Sequence, residues 1–503
     1  MVFSSPIFVL FFLPLVLGVS VLLKKSALNP FLLLASLVFY DWGGAGHLTL
    51  LFTLVLINWV AGIIIEKYED LERYRTKDFV YFLCIAINVG GLFYYKYINF
   101  FIDNINIILQ WFGTSLPHHA ALELPLGISF FTFHLISYVV DIHRGIAKAQ
   151  RSPIDFGLYI CFFPQIIAGP IIRYHDVEEQ LTSRTVTVEK FASGVERFII
   201  GLAKKVLLAN PLGQTVDRIF ALPDMNLSTP VAWLGICGYA LQLYFDFSGY
   251  SDMAIGLARM FGFEYLENFN YPFVSKSIHE FWQRWHISLS NWFRDYFYMP
   301  LVVAIAHRRA RAGVRKKFDD RLPLAIVFFV CGIWHGASWN FAMFGMLHGL
   351  FLVLERGRLG GWLKKAPAIL SRLYVYLVII VAWVFFRCET FSGALHYLKI
   401  MFTIRTSTVW PLAAFLDMRT LLLLPIALIG CSPLFSCVTR DWRARASQAF
   451  GLLGKDETDD TEKRPRLDSY MLWVRIPVLA SCLILSLVYI AGNTYNPFLY
   501  FRF

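Results

Sequence analysis

The sequence predicts an all-α, polytopic membrane protein, and three observations predict it. Hydrophobic residues make up 57% of the 503, with 17% aromatic and only 16% charged, a balance that a water-soluble globule of this size could not hide. Apolar stretches of spanning length recur at 6–23, 31–65, 79–98, 122–142, 154–172, 196–209, 231–263, 278–306, 322–354, 370–387, 419–438 and 473–492. They correspond to about ten to thirteen membrane segments, some of them re-entrant. Lys and Arg gather in the short loops between these stretches, where they orient helices against anionic lipid. The net charge of +11 therefore reflects topology, so membrane lipid is an expected partner and nucleic acid is not.

Taken in order, the first stretch lacks a basic leader and a small-residue cleavage site and ends at Lys24-Lys25. It reads as a retained span with the N-terminus outside. Pro and Gly interrupt LPLGISFF (Leu124 to Phe131) and FFPQIIAGPIIRY (Phe162 to Tyr174). Broken backbone at membrane depth is tolerated only where protein or a water-filled cavity satisfies it, so the chain is expected to enclose a cavity. Residues 439–469, including KDETDDTEKRPR, alternate in charge without apolar anchors and read as a solvated loop within one integral domain, 1–503. The eight cysteines form no C-x-x-C pair and no histidine pair has H-E-x-x-H spacing, so neither a disulfide framework nor a metal site is expected. No internal repeat is evident, which counts against a transporter built from two related halves.

The run from Leu322 to Leu354 carries GIWHGASWN, with His335 near its middle. As one helix it would reach about 50 Å, against roughly 30 Å of hydrocarbon. Both flanks, Arg308 to Arg321 and Arg356 to Lys365, are basic, so a down-and-back hairpin is expected. An ionisable residue at depth usually lines a pathway or a reaction site. We read His335 as a catalytic base, because a neutral imidazole with one nitrogen open to a proton is the state a general base needs. A histidine bonded to backbone carbonyls in a packed bundle, or a proton relay in a transporter, would leave the same trace. Continuous helical periodicity would place Trp339 beside His335, with Trp334, Asn340 and His348 nearby.

In SIHEFWQRWHISLSNWFRDYFYMP, residues His279, Gln283, His286, Ser290 and Arg294 recur at three or four positions. On one helix they form a polar stripe beside an aromatic one of Trp282, Trp285, Leu289, Trp292 and Phe293. An interfacial helix with tryptophans at headgroup level would look similar but would not need His286. There is no G-x-S-x-G elbow, Walker loop or dinucleotide fingerprint. None of the twelve histidines has Asp four or five residues later, the spacing of soluble acyltransferases.

These residues, read together, resemble the membrane-bound O-acyltransferase superfamily and, within it, its bacterial alginate O-acetyltransferase branch. The strings that carry the resemblance run nearly end to end: MVFSSPIFVLFFLPL, LPLGISFFTFHLISYVVDIHRG, FFPQIIAGPIIRY, LQLYFDFSGYSDMAIGLARMFGF, NFNYPFVSKSIHEFWQRWHISLSNWFRDYFYMPL, GIWHGASWNFAMFGMLHG, VAWVFFRCETFSGAL and NPFLYFRF. The chain departs after FRDYFYMPL, where VVAIAHRRARAGVRKKFDDR replaces a Gly-Gly-Asn-Arg-like turn. The resemblance implies a helical bundle with broken and re-entrant helices around a central tunnel. His335 matches the superfamily's histidine motif, and His286 its second polar position. It further implies acetyl-CoA as cytoplasmic donor, with no resident cofactor, and an inner-membrane location. The acceptor would be an exopolysaccharide such as alginate, peptidoglycan or another envelope glycan. A serine of an exported hydrolase-like relay partner (AlgJ/AlgX-like) could carry the acetyl group between them. Trp334, Trp339, Asn340, Ser290, Gln283 and Arg294 are expected to line the tunnel. The match also places Arg173, and Asp246 with Ser248, near the core, where Asp246 and Asp252 would pair with an intramembrane Arg. Arg308, Arg309, Arg311, Lys316 and Lys317 would attract the coenzyme's phosphates or simply set topology. A transporter or export scaffold for acetyl groups or protons, without transfer chemistry of its own, is the rival reading.

Overall fold

The computed structural model describes residues 1–42, 46–119, 123–313, 319–407, 409–434, 464–492 and 495–497. Helices dominate because a chain surrounded by hydrocarbon must satisfy its own backbone hydrogen bonds. In order they are α1 (Leu13–Leu22), α2 (Lys25–Asp41), α3 (Leu48–Asp70), α4 (Tyr74–Lys96), α5 (Ile98–Leu109), α6 (Ile128–His143) and α7 (Pro153–Cys161). Then follow α8 (Tyr174–Ser183), α9 (Val188–Ala203), α10 (Asn210–Phe220), α11 (Thr229–Met260), α12 (Ile278–Arg284), α13 (Ile287–Phe293) and α14 (Met299–Arg311). The last are α15 (Arg321–His335), α16 (Trp339–Glu355), α17 (Arg358–Leu363), α18 (Ala368–Arg387), α19 (Phe391–Met401), α20 (Met418–Gly430) and α21 (Arg464–Gly492). No strand occurs among the described residues. The helices α3, α4, α18 and residues Val474–Gly492 of α21 are each long and apolar enough to cross a membrane.

Polar loops gather at two ends of the bundle. At one end Arg151 meets Glu66, Asn29 donates to Asp155 at 2.6 Å, and Lys190 pairs with Glu264 at 2.7 Å. This basic end includes Lys24-Lys25 and, by the positive-inside tendency, faces the cytoplasm. At the opposite end Ser4 bonds Asn496 at 3.1 Å and Arg387 pairs with Asp217 at 2.9 Å, so the N-terminus lies on the far side. Between the ends, α9 and α11 form the longest antiparallel contact, made close by Gly194, Gly201, Gly249 and Gly256.

The expected breaks in the chain are present. Residues 162–172 are buried yet non-helical. Their backbone is satisfied from the side: Ile171 N–H donates to Ser288 Oγ at 3.0 Å and Ile172 N–H to His134 Nε2 at 3.2 Å. Gly127 adopts φ +72°, and a Cβ there would lie 2.3 Å from the Ile166 carbonyl oxygen, so only glycine fits. The polar loop expected at 439–469 falls outside the described residues up to 463. Residues 464–469, which the sequence reading gave to that loop, belong instead to α21, because the apolar run that follows extends its helix toward the N-terminus.

Candidate active site

The run 322–354 folds as an antiparallel hairpin of α15 and α16. Its crossing is glycine-lined: a Cβ on Gly345 would lie 2.2 Å from the Phe328 carbonyl oxygen and 2.9 Å from Gly332 Cα. At the open end Arg356 pairs with Asp320 at 3.1 Å, which brings the two basic flanks to the same face. The chain leaves α15 at His335 and re-enters helix at Trp339. His335 thus ends a helix instead of sitting in the middle of one. It is 4% exposed, with ring centroids of Trp334, Phe344 and Phe386 at 4.9, 5.6 and 5.3 Å. The last carbonyls of α15 accept from the end of α4, and Ile333 O also takes the Gly336 N–H at 3.0 Å. Lys96 Nζ donates to Trp334 O at 2.7 Å and His335 O at 3.2 Å, and Tyr97 Oη to Ile333 O at 3.1 Å.

The polar stripe expected on one helix is divided between two. Ser277 caps α12 by accepting from Glu280 N–H at 3.0 Å, and the Glu355 carboxylate accepts from the N–H groups of Ile278 and His279 at 2.6 and 3.0 Å. An anion at a helix N-terminus is favourable there, and it ties α12 to the end of α16. The helix then stops: Trp285 is extended and His286 adopts φ +46°, ψ +53° before α13 begins. That left-handed conformation is uncommon for a residue with a Cβ. It is held by Asn268, whose Oδ1 accepts from Ser288 N–H and Ser288 Oγ at 3.1 and 2.9 Å and faces His286 Nδ1 at 3.2 Å. With Asn268 Oδ1 as acceptor, Nδ1 carries the proton and Nε2 keeps the lone pair. Phe247 meets the ring edge-on at 4.6 Å.

The two histidines converge across Trp334, whose ring centroid is 6.5 Å from His286 and 4.9 Å from His335. Trp334 in turn stacks on Phe133 at 5.1 Å, and Phe133 on Trp292 at 3.6 Å. A cavity of 380 Å³ rises from the basic face toward this cluster. On α15 it is lined by Leu324, Val327, Phe328 and Cys331, a helical stripe whose next turn is Trp334-His335. On α12 and α13 it is lined by His279, Trp282, Gln283, Ser290 and Asn291, with Arg294 below, and these positions bracket His286. The cavity walls are mostly apolar, yet among the described residues neither Trp282 Nε1 nor Ser290 Oγ has a hydrogen-bond partner. A second hollow of 450 Å³ shares His279, Leu352 and Arg356 and adds Lys276 and Lys364 at the surface. His335 therefore stands one helical turn beyond the last α15 residue that lines a funnel with a cationic mouth, and His286 stands between lining residues of α12 and α13.

The family model for the membrane-bound O-acyltransferase family matches residues 48–386, which contain all of this architecture. The chain belongs to the membrane-bound O-acyltransferase family. It is 37% identical, over the full length of both chains, to the probable alginate O-acetylases AlgI of Azotobacter vinelandii and Pseudomonas aeruginosa. It is also 34% identical to the peptidoglycan O-acetyltransferase of Helicobacter pylori, over 80% of each chain. The protein is an O-acyltransferase, a multi-pass enzyme of the bacterial inner membrane.

Within this acyltransferase several sequence expectations are corrected. Trp339 is not beside His335: the break at 336–338 turns it outward, where it is 53% exposed and donates to Asn104 Oδ1 at 2.9 Å. Asn340 is buried but bonds Cys388 O at 2.6 Å, fastening α16 to the end of α18. Asp246 pairs with Lys205 at 2.6 Å, remote from the cavity lining, and Asp252 meets Arg197 at 2.6 Å. Arg173 lies in an ionic cluster at the basic face, 2.8 Å from Asp176 and 2.5 Å from Asp295, and not in the cavity lining. Beside it His175 Nδ1 contacts the buried Asp141 carboxylate at 2.8 Å, and this hydrogen bond holds the His175 pKa above its ordinary value. The funnel mouth is lined by Arg294, Arg356, Lys276 and Lys364 and not by Arg308, Arg309 or Arg311; Lys316 and Lys317 lie outside the described residues. Among the described residues the expected central tunnel is not continuous, since the cavity lining stops at Cys331 and aromatic rings surround His335. Sequence reasoning missed Asn268 and Lys96. Asn268 carries no local signal, whereas Lys96, in YYKYINF at the end of an apolar stretch, passes for an interface anchor.

Proposed function

We propose that this enzyme transfers acetyl from cytoplasmic acetyl-CoA to a hydroxyl at the far face of the inner membrane, for modification of an exported polysaccharide of the alginate class. The observation that carries the reading is the convergence of His335 and His286 at a funnel open at the basic face. The funnel suits a thioester on a long, thin arm. Arg294, Arg356, Lys276 and Lys364 stand where phosphates would rest, and the apolar walls suit the thin chain that carries the acetyl group.

In the reaction His335 takes the proton of the acceptor hydroxyl as its oxygen attacks the thioester carbonyl. The C–S bond then breaks, and the proton passes to the departing thiolate, so coenzyme A leaves as the thiol and the acetyl ester remains on the acceptor. His286, its Nδ1 proton directed to Asn268, presents Nε2 to position a reactant. With Trp334, Trp282 and Phe344 filling the space between funnel and base, one or more of these rings must turn aside when donor enters. The immediate acceptor is either the glycan or a serine of an exported hydrolase-like relay partner.

The test is mass spectrometry of products after supplying labelled acetyl-CoA with candidate glycans and partners. Label on alginate or on a relay serine supports the reading, and label confined to peptidoglycan supports the role named for the Helicobacter relative. Replacing His335 by Ala should reduce transfer by about 10²- to 10⁴-fold while donor still binds. Unchanged transfer would remove His335 from the mechanism.

A further inference from the structure

Lys96 is the last residue of α4, and its ammonium reaches across the bundle to three acceptors: Trp334 O at 2.7 Å, His335 O at 3.2 Å and Ser129 Oγ, in the first turn of α6, at 3.1 Å. An ammonium has three N–H bonds, so its donors are fully used. Among the described residues no carboxylate lies within ion-pair distance of it. Its side chain is half-buried, and drawing an ammonium in from solvent without an acidic partner is costly. Capping alone does not require a charge: Tyr97, next in the chain, donates to Ile333 O with a neutral hydroxyl.

Two consequences follow from this geometry. The carbonyl of His335 itself is gripped, so the direction in which the imidazole leaves the backbone is fixed by α4 and α6 as well as by α15. The positive charge also sits at the C-terminal, negative end of the α15 dipole, 5.8 Å from the Trp334 ring centroid that separates the two histidines. Negative charge develops on the thioester oxygen in the transition state of acyl transfer, and a preorganised cation near that point lowers the barrier.

We propose that Lys96 is a positioning residue for acyl transfer, which fixes His335 by gripping the end of α15 and brings an uncompensated positive charge to the reaction chamber. The proposal rests on the reading of His335 as base. Its test compares Lys96→Met, Lys96→Gln and Lys96→Arg in full-length protein reconstituted in lipid nanodiscs, with kcat and donor KM measured separately. Lys96→Gln keeps two N–H donors and removes the charge, while Lys96→Arg keeps both. The expected result is a fall in kcat of about 10²-fold for Met and at least tenfold for Gln, with KM changed less than threefold and Arg within about fivefold of wild type. In the His335→Ala background, where only the electrostatic part of the effect is left, Lys96→Gln should cause a smaller loss than it does in wild type. If Lys96→Gln retains wild-type kcat while His335→Ala is inactive, the Lys96 proposal fails and the base reading stands. If His335→Ala is active, the base reading fails first. Should Lys96→Met not fold, the Gln and Arg chains decide the matter.

Discussion

Substituting Gly345 by Ala tests whether the hairpin crossing sets the position of His335. Gly345 is in the middle of α16, where alanine is intrinsically better for a helix by about 1 kcal/mol. Were the crossing loose, the substitution would stabilise the protein. In this structure the new methyl would lie 2.2 Å from the Phe328 carbonyl oxygen, against 3.4 Å or more for ordinary contact, with Gly332 Cα and N both at 2.9 Å. All three obstacles are backbone atoms, so no rotamer change relieves them. The helices must part by about 1 Å. Overpacking of this kind costs about 1–3 kcal/mol, which cancels or reverses the helix-propensity gain. The larger consequence is kinetic, because His335 lies three residues beyond Gly332 on the displaced helix, and a shift of about 1 Å at a reacting group costs on the order of 10² in rate. The assay is initial-rate acetyl transfer in nanodiscs, alongside the thermal unfolding midpoint. A Gly345→Ala protein with a raised midpoint and undiminished kcat would refute the reasoning.

Asn268→Leu should leave Ser288 N–H, Ser288 Oγ and His286 Nδ1 without their acceptor. At about 1–3 kcal/mol for each buried donor so stranded, a clear drop in unfolding midpoint and loss of transfer are expected. Arg294→Gln at the funnel mouth should raise the KM for coenzyme donor about tenfold with kcat little changed, and added salt should narrow the difference; an unaltered KM would move the phosphate site elsewhere. The His175–Asp141 contact raises the histidine's pKa in the folded state, so its contribution to stability is complete below the unfolded value of about 6.5 and is lost as pH rises through the folded value. Wild-type protein should therefore lose more thermal stability than His175→Gln between pH 6 and pH 8, and parallel profiles would contradict the assignment.

The parts of this fold that could be read from sequence are those that composition controls. The hairpin followed from two basic flanks around a run too long for one crossing, and Asp320 with Arg356 closes its open end accordingly. The non-helical stretches at 124–127 and 162–173 followed from proline and glycine. Readings that extended helical periodicity through a site failed. Trp339 was placed beside His335 by counting through Gly336-Ala337-Ser338, the point at which the helix stops. The stripe from His279 to Arg294 was counted through His286, whose left-handed backbone has no local cause. Its cause is Asn268, distant in sequence, and a pattern within one segment cannot report a partner in another. Lys205 was not singled out in the sequence for a related reason. In a Lys204-Lys205 pair it looks like a topology signal, but a π-helical turn at Lys204–Ala209 directs it inward to Asp246.

Both candidate catalytic histidines stand at helix ends, and this explains much of the polar chemistry around them. In the middle of a helix, side chains point away from a closed cylinder, and two such cylinders meet along a line. Ending a helix lets the chain turn, so that His286 before α13 and His335 at the end of α15 face one volume from two directions. The cost is a set of unpaired backbone groups at a depth where water does not satisfy them. Lys96 and Tyr97 serve the carbonyls of α15, Ser288 and His134 serve the buried loop at 171–172, and Asn268 serves the start of α13. Several of the same groups also orient the imidazoles. Stability and reactivity are thus coupled here, and loss of Asn268 should reduce both together, whereas loss of the charge on Lys96, with its hydrogen bonds largely kept, should separate them.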